Sequence, residues 1–215
     1  WQHHFGHGIV RTPSDFGVMG APPTHPRLLD WLAHWFTHEG GWSLKKLHRL
    51  ILASNTYRMG AEWNDEYATA DPENNLLWRR SYRRLEVEAI RDSMLAISGK
   101  LDRSMYGPSM YPFIPGEILE GHADKLKIWP AFNEAQANRR TIYAYVKRSM
   151  IVPFLEVMDL CDTTRPAPER LITSVAPQAL TMLNGDFVNR QAGYFAERLV
   201  AQAGVDVADQ IRLAY

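Results

Sequence analysis

Between Thr24 and Ile51 the chain reads THPRLLDWLAHWFTHEGGWSLKKLHRLI, which is the grammar of two helices in succession. Thr24 is a capping residue, Pro26 suits a first helical turn, and Gly40 and Gly41 stop the run. Leu28, Leu32 and Trp35 recur at helical spacing, with Leu29 and Trp31 widening the apolar face and both tryptophans assigned to the core. Ser43 then caps a second helix carrying Leu44, Leu47, Leu50 and Ile51. A glycine link this short predicts an angled helix pair or hairpin.

The same period returns downstream. LEVEAIRDSMLAISGKL carries Leu85, Ile90, Met94, Leu95 and Ile97 on one face, with Gly99 as the stop. APQALTML is a short helix, and FVNRQAGYFAERLVAQAG is a longer one whose apolar face is Phe187, Tyr194, Phe195, Leu199 and Val200. The polar run from Met59 to Asn75 reads as a surface loop, and Pro and Gly break any long element from Gly107 to Pro130. Only TIYAYVKR alternates in the manner of a strand. The expected fold class is therefore mainly α, a multi-helix globular domain with at most a small β hairpin or short sheet, formed by residues 1–215 as a single domain.

Charge removes several function classes. Lys and Arg number 24 and so do Asp and Glu, giving a formal net charge of zero. Nothing draws the whole chain to nucleic acid or to an anionic membrane, which argues against a DNA-reading helix pair. No apolar run reaches membrane-spanning length. Cys161 is the sole cysteine, so the chain holds no internal disulfide, cysteine-rich zinc site or Cys-x-x-Cys-His haem attachment.

Four stretches carry a family resemblance: WQHHFGHGIVRTPSDFGVMGAPPTHPRLLDWLA, GWSLKKLHRLILASNTYR, RRLEVEAIRDSMLAISGKLD and SVAPQALTMLNGDFV. In content and order they resemble the motifs of the planctomycete surface domain family, a domain of unknown function. The resemblance implies an exported, cell-surface, multidomain protein with an upstream companion domain and a cytochrome-c-like haem domain. It implies that Trp1 lies inside a truncated helix and that Tyr215 is a cut end. Haem is expected in those associated domains, with no cofactor in this chain, and no reaction comes with the resemblance.

His3, His4 and His7 open the chain. With Gly6 or Gly8 as a left-handed stop, they crowd a helix C-terminus, where histidine complements the helix dipole and no metal is needed. His3 and His7 have zinc-helix spacing, but Gly6 intervenes and the Glu of His-Glu-x-x-His is missing. The resemblance further implies Arg or Lys at the position of His7. His4, Asp15, His25 and His48 fall on the family's motif positions and would make a general-base set if folding gathered them. Each also has a structural reading: Asp15 in a turn, His25 at a helix start, His48 as a half-buried polar residue.

Asp159 and Asp162 share a face if their helix continues, with Arg165 and Arg170 behind them. They read either as a hard-cation or acid/base pair, or as partners of those arginines at a helix end before Pro166. Cys161 stands where the resemblance implies Pro, and Met158 where it implies Phe. Trp63 and Trp129, in expected loops, are candidates for stacking on a sugar ring of a polysaccharide. The basic clusters Arg79, Arg80, Arg83, Arg84 and Arg139, Arg140, Lys147, Arg148 suit either a sulfated or uronic polymer or ion pairs with residues such as Glu86 and Glu88. Two function classes follow: a helical binding or scaffold module acting beside partner domains, or a contributor of His, Asp and Arg to an active site shared with the neighbouring domain.

Overall fold

The computed structural model describes residues 1–120 and 128–215, so the part of the Pro- and Gly-rich stretch from 121 to 127 lies outside the described residues. Eleven α-helices and one 3-10 turn are found among the described residues, with isolated bridges and no strand. The chain forms two compact units, Trp1–Arg84 and Leu85–Tyr215.

In the first unit α1 (Gln2–Phe5) ends at Gly6, whose φ of 95° gives the left-handed stop expected there. Helix α2 (Pro26–His38) starts on Pro26 with His25, not Thr24, at the N-cap. The stop uses Gly41 at φ 57° followed by Trp42 at φ 61°. Helix α3 (Leu44–Ala53) is capped by Ser43, whose side chain accepts from the Lys46 N–H. The core of this unit is thin, with Ile9 and Ile51 buried. Trp31 is 49 % exposed and so does not join the core to which its helical spacing assigned it.

The expected loop from Met59 to Asn75 holds a helix, α4 (Asp65–Ala70). Asn64 caps it by accepting from the Tyr67 N–H, and Asp65 and Glu66 suit its positive end. The turn that follows is tied by side chains. Asp71 accepts from the Asn75 and Leu76 N–H groups, and Asn74, at φ 55°, donates to the Arg79 carbonyl.

In the second unit α5 (Val87–Ile97) buries Val87, Arg91 and Leu95, one side chain per turn along one stripe. It stops at Gly99, φ 77°, with the Lys100 and Leu101 N–H groups closing on the Leu95 carbonyl. Short helices α6 (Gly116–Leu119), α7 (Glu134–Ala137) and α8 (Pro153–Val157) punctuate the irregular middle. The core gathers Val87, Ile114, Trp129, Met150, Val152, Leu155 and Met158. Helices α9 (Ala176–Asn184), α10 (Asp186–Ala203) and α11 (Val207–Ala214) complete it.

The alternation in TIYAYVKR does not make a strand. Thr141–Tyr143 winds into a 3-10 turn because the Thr141 N–H and hydroxyl both bond Asp92 of α5. Arg91, 3 % exposed, donates to the Ala137 and Arg139 carbonyls and to Thr141 Oγ1. Burial pushes this guanidinium down to about 10, against the attraction of Asp92. A protonated arginine thus pins the irregular segment after α7 onto α5.

Candidate functional site

A cleft of about 920 Å³ opens in the second unit beside α5, the 3-10 turn and α8. Its apolar floor includes Ala89, Ala96, Leu101, Leu155 and Leu160. Glu88 and Asp92 reach it from successive turns of α5, an i, i+4 spacing. Arg170 grips Glu88 with both terminal nitrogens, at 2.7 and 2.9 Å. Burial acts to raise the Glu88 carboxyl, but the bonds and charge of Arg170 outweigh it and the net shift is downward. Those same bonds hold Arg170 above its ordinary value. Asp92 takes the Thr141 N–H at 2.7 Å and its hydroxyl at 2.6 Å, with Arg140 Nε 3.7 Å away. The ionised groups named here are neutralised by one another, and each carboxylate keeps lone pairs for a further donor.

The structure brings together only part of the expected histidine and aspartate set. His4 Nε2 lies 2.8 Å from His48 Nδ1, so α1 meets α3 through two imidazoles. The Tyr57 ring stands edge-on to His4 at 5.7 Å, and Arg80 lies over Tyr57 at 3.8 Å. Burial first, then the charges of His48, Arg80 and His3, depress the His4 pKa. Asp15 instead accepts from the Gly17 N–H in a surface turn, and His25 Nδ1 meets the neighbouring Thr24 hydroxyl.

Asp159 and Asp162 do not share a helix face, because α8 ends at Val157 and Asp159 takes φ 62°. The Asp159 carboxylate accepts from the Thr173 N–H and hydroxyl and from Gln178 Nε2. Asp162 caps its own turn, and the Thr164 hydroxyl, then Arg165 Nε at 2.8 Å, hold it below the usual carboxylate range. Arg170 pairs with Glu88 and not with either aspartate. Cys161 is half-buried, with its thiol 3.9 Å from the Asp162 carbonyl.

Trp129 is 3 % exposed and donates to the Pro112 carbonyl, so its indole lies in the core and is closed to a sugar. Trp63 is 62 % exposed. Its N–H is fixed by Asp65 at 2.8 Å, its ring meets Trp78 at 5.8 Å, and Arg79 lies 5.0 Å from its centroid. The basic clusters are spent largely on carbonyls and rings. Arg83 donates to the Gln2 and His3 carbonyls, and Arg139 to those of Tyr106 and Pro108 while lying over Tyr143. Among the described residues, no three His, Cys, Asp or Glu side chains are grouped to hold a metal, and no helix is long and apolar enough to cross a membrane.

Asp92 escaped the search for a site by motif, while Glu88 and Arg140 entered it only as an ion-pair partner and as one member of a basic cluster. Their signal is the i, i+4 pair of acids on α5, which sequence pattern alone assigns to a solvated face. The family model of PSD1, proteins of unknown function (DUF1553), matches residues 1–215. The chain belongs to the PSD1 family. No curated protein and no solved structure matches it.

Proposed function

We propose that this PSD1 domain is a helical binding module of an exported, cell-envelope protein, and that the cleft of its Leu85–Tyr215 unit takes a segment of neutral polysaccharide. One observation carries the reading: the Arg170 and Glu88 fork, already closed on itself, stands beside an apolar floor. A paired carboxylate and guanidinium offer directed acceptors and donors without a net charge, which suits hydroxyl groups better than an ionic ligand. Apolar floor and polar rim together match the two faces of a sugar ring. Exposed Trp63, held by Asp65 and Arg79, supports the same reading as a second stacking surface. Haem and the chemistry that acts on the polymer belong, in this proposal, to companion domains of the same protein.

The test is calorimetric titration of the 215-residue chain with neutral oligosaccharides, alongside Ala89→Trp, which fills the cleft from an exposed position and leaves the Arg170 fork intact. The variant is expected to lose binding at least tenfold. Equal binding by Ala89→Trp, or none by the parent chain, overturns the assignment of the cleft.

A further inference from the structure

In the Trp1–Arg84 unit three aromatic side chains and a guanidinium meet from different segments of the chain. Trp63 precedes α4, Tyr67 lies within it, and Trp78 and Arg79 come after the turn that follows it. The Trp63 and Trp78 rings stand at 73° with centroids 5.8 Å apart, and the exposed Tyr67 ring is 6.0 Å from Trp78. The guanidinium carbon of Arg79 lies 5.0 Å from one indole centroid and 5.1 Å from the other, so two rings and one cation converge on a common point. Each part is tied from behind. The Trp63 N–H is held by Asp65, the Trp78 N–H by the Asp71 carbonyl at 3.0 Å, and the Arg79 backbone by both ends of the Asn74 amide. Both indole donors are thus spent, whereas Arg79 Nε is buried with no acceptor and the terminal nitrogens have none among the described residues.

We infer that this platform binds a single uronate residue of an otherwise neutral glycan, with the sugar ring on exposed Trp63 and its carboxylate on the fork of Arg79. An indole fixed at its N–H presents a rigid π face to the C–H face of a sugar. The planar guanidinium matches the two oxygens of a carboxylate, and the indoles have already stripped part of its water. Neighbouring charge limits the ligand to one carboxylate. Glu62, Asp65, Glu66, Asp71 and Glu73 fall within twelve positions that hold no Lys or Arg, and they repel a densely charged polyanion. Attraction to Arg79 is therefore a short-range contact and not a field that draws in a polymer. The inference rests on the reading of Trp63 as a stacking surface and not on the cleft of the Leu85–Tyr215 unit.

The experiment follows the indole N–H resonances of Trp63 and Trp78 by ¹H–¹⁵N NMR in the 215-residue chain at constant ionic strength. The probes are xylotetraose, xylotetraose bearing one glucuronate, xylotetraose bearing one sulfate, and acetate. Saturable displacement of both resonances is expected with the glucuronate probe, at least fivefold tighter than with the neutral or sulfated one, and none with acetate. Trp63→Ala, at an exposed position, is expected to weaken the Trp78 response tenfold or more. Arg79→Gln is expected to bring the glucuronate probe down to the affinity of xylotetraose. Ala89→Trp, which fills the cleft of the other unit, is expected to leave these responses unchanged, so that failure of the cleft assignment and failure of this one are read separately. Equal affinity for the neutral and glucuronate probes, tighter binding of the sulfated probe, the same response to acetate, a preference that survives Arg79→Gln, or loss of the response in Ala89→Trp would each overturn the inference.

Discussion

Arg91 carries a charge into the interior of the Leu85–Tyr215 unit without a bonded carboxylate, and the reason is local geometry. Its fork ends on two carbonyls and a hydroxyl that burial would otherwise leave without donors. The side chain therefore substitutes for backbone hydrogen bonding where the chain between α7 and the 3-10 turn has no regular partner. Arg91→Met keeps the length and apolar stem but orphans all three acceptors, and it is expected to cost about 3 kcal/mol. Urea denaturation checks this as a lowered midpoint with an unchanged slope. Arg91→Lys should recover only part of the loss, because a compact ammonium cannot span the same three acceptors. The sequence pattern marks Leu95 as core, but it puts Leu85 and Ile97 on the same face, where they are exposed, and gives no reason to bury Val87 or Arg91. The partners of Arg91 lie nearly fifty positions away, beyond the reach of any local period.

At the scale of elements, helix existence follows from punctuation and period, while what covers each helix does not. Pro26, Ser43 and Gly99 mark their ends because capping and left-handed stops are properties of a few adjacent residues. Asn64 sends the same kind of signal, yet the polarity of its surroundings masks α4. Trp129 reads as a loop residue from its proline neighbours, but the Pro112 carbonyl draws it inward. Of the histidine and aspartate set, the meeting of His4 with His48 needs the fold, since 44 positions separate them. That meeting makes α1 sensitive to pH. The His4 pKa is depressed in the folded state, so the unfolded chain binds the proton more readily. The contribution of this contact is present above the ordinary histidine value and is lost as pH falls through the lower folded value. Hydrogen exchange should show the α1 amides losing protection on acidification below pH 6.5. His4→Gln, which does not titrate in this range, should flatten that response.

For the whole molecule, balanced charge and a single thiol set the limits within which the two units can act. The proposal that haem belongs to companion domains raises the question of whether this chain takes part in electron transfer itself. Covalent attachment requires two thiols, and Cys161 is the one present. Noncovalent haem requires an axial ligand inside an apolar pocket. Two histidines near helices, His25 and His48, are not so placed. His25 holds the Thr24 hydroxyl at a helix start, and His48 is committed through Nδ1 to His4 between the charged side chains of Lys45 and Arg49. Haem added to the isolated 215-residue chain should therefore give no stoichiometric Soret-absorbing complex, and His25→Ala and His48→Ala should leave the titration unchanged. A tight complex abolished by either substitution would instead place this domain within the electron path, and the binding-module reading would give way to a redox one.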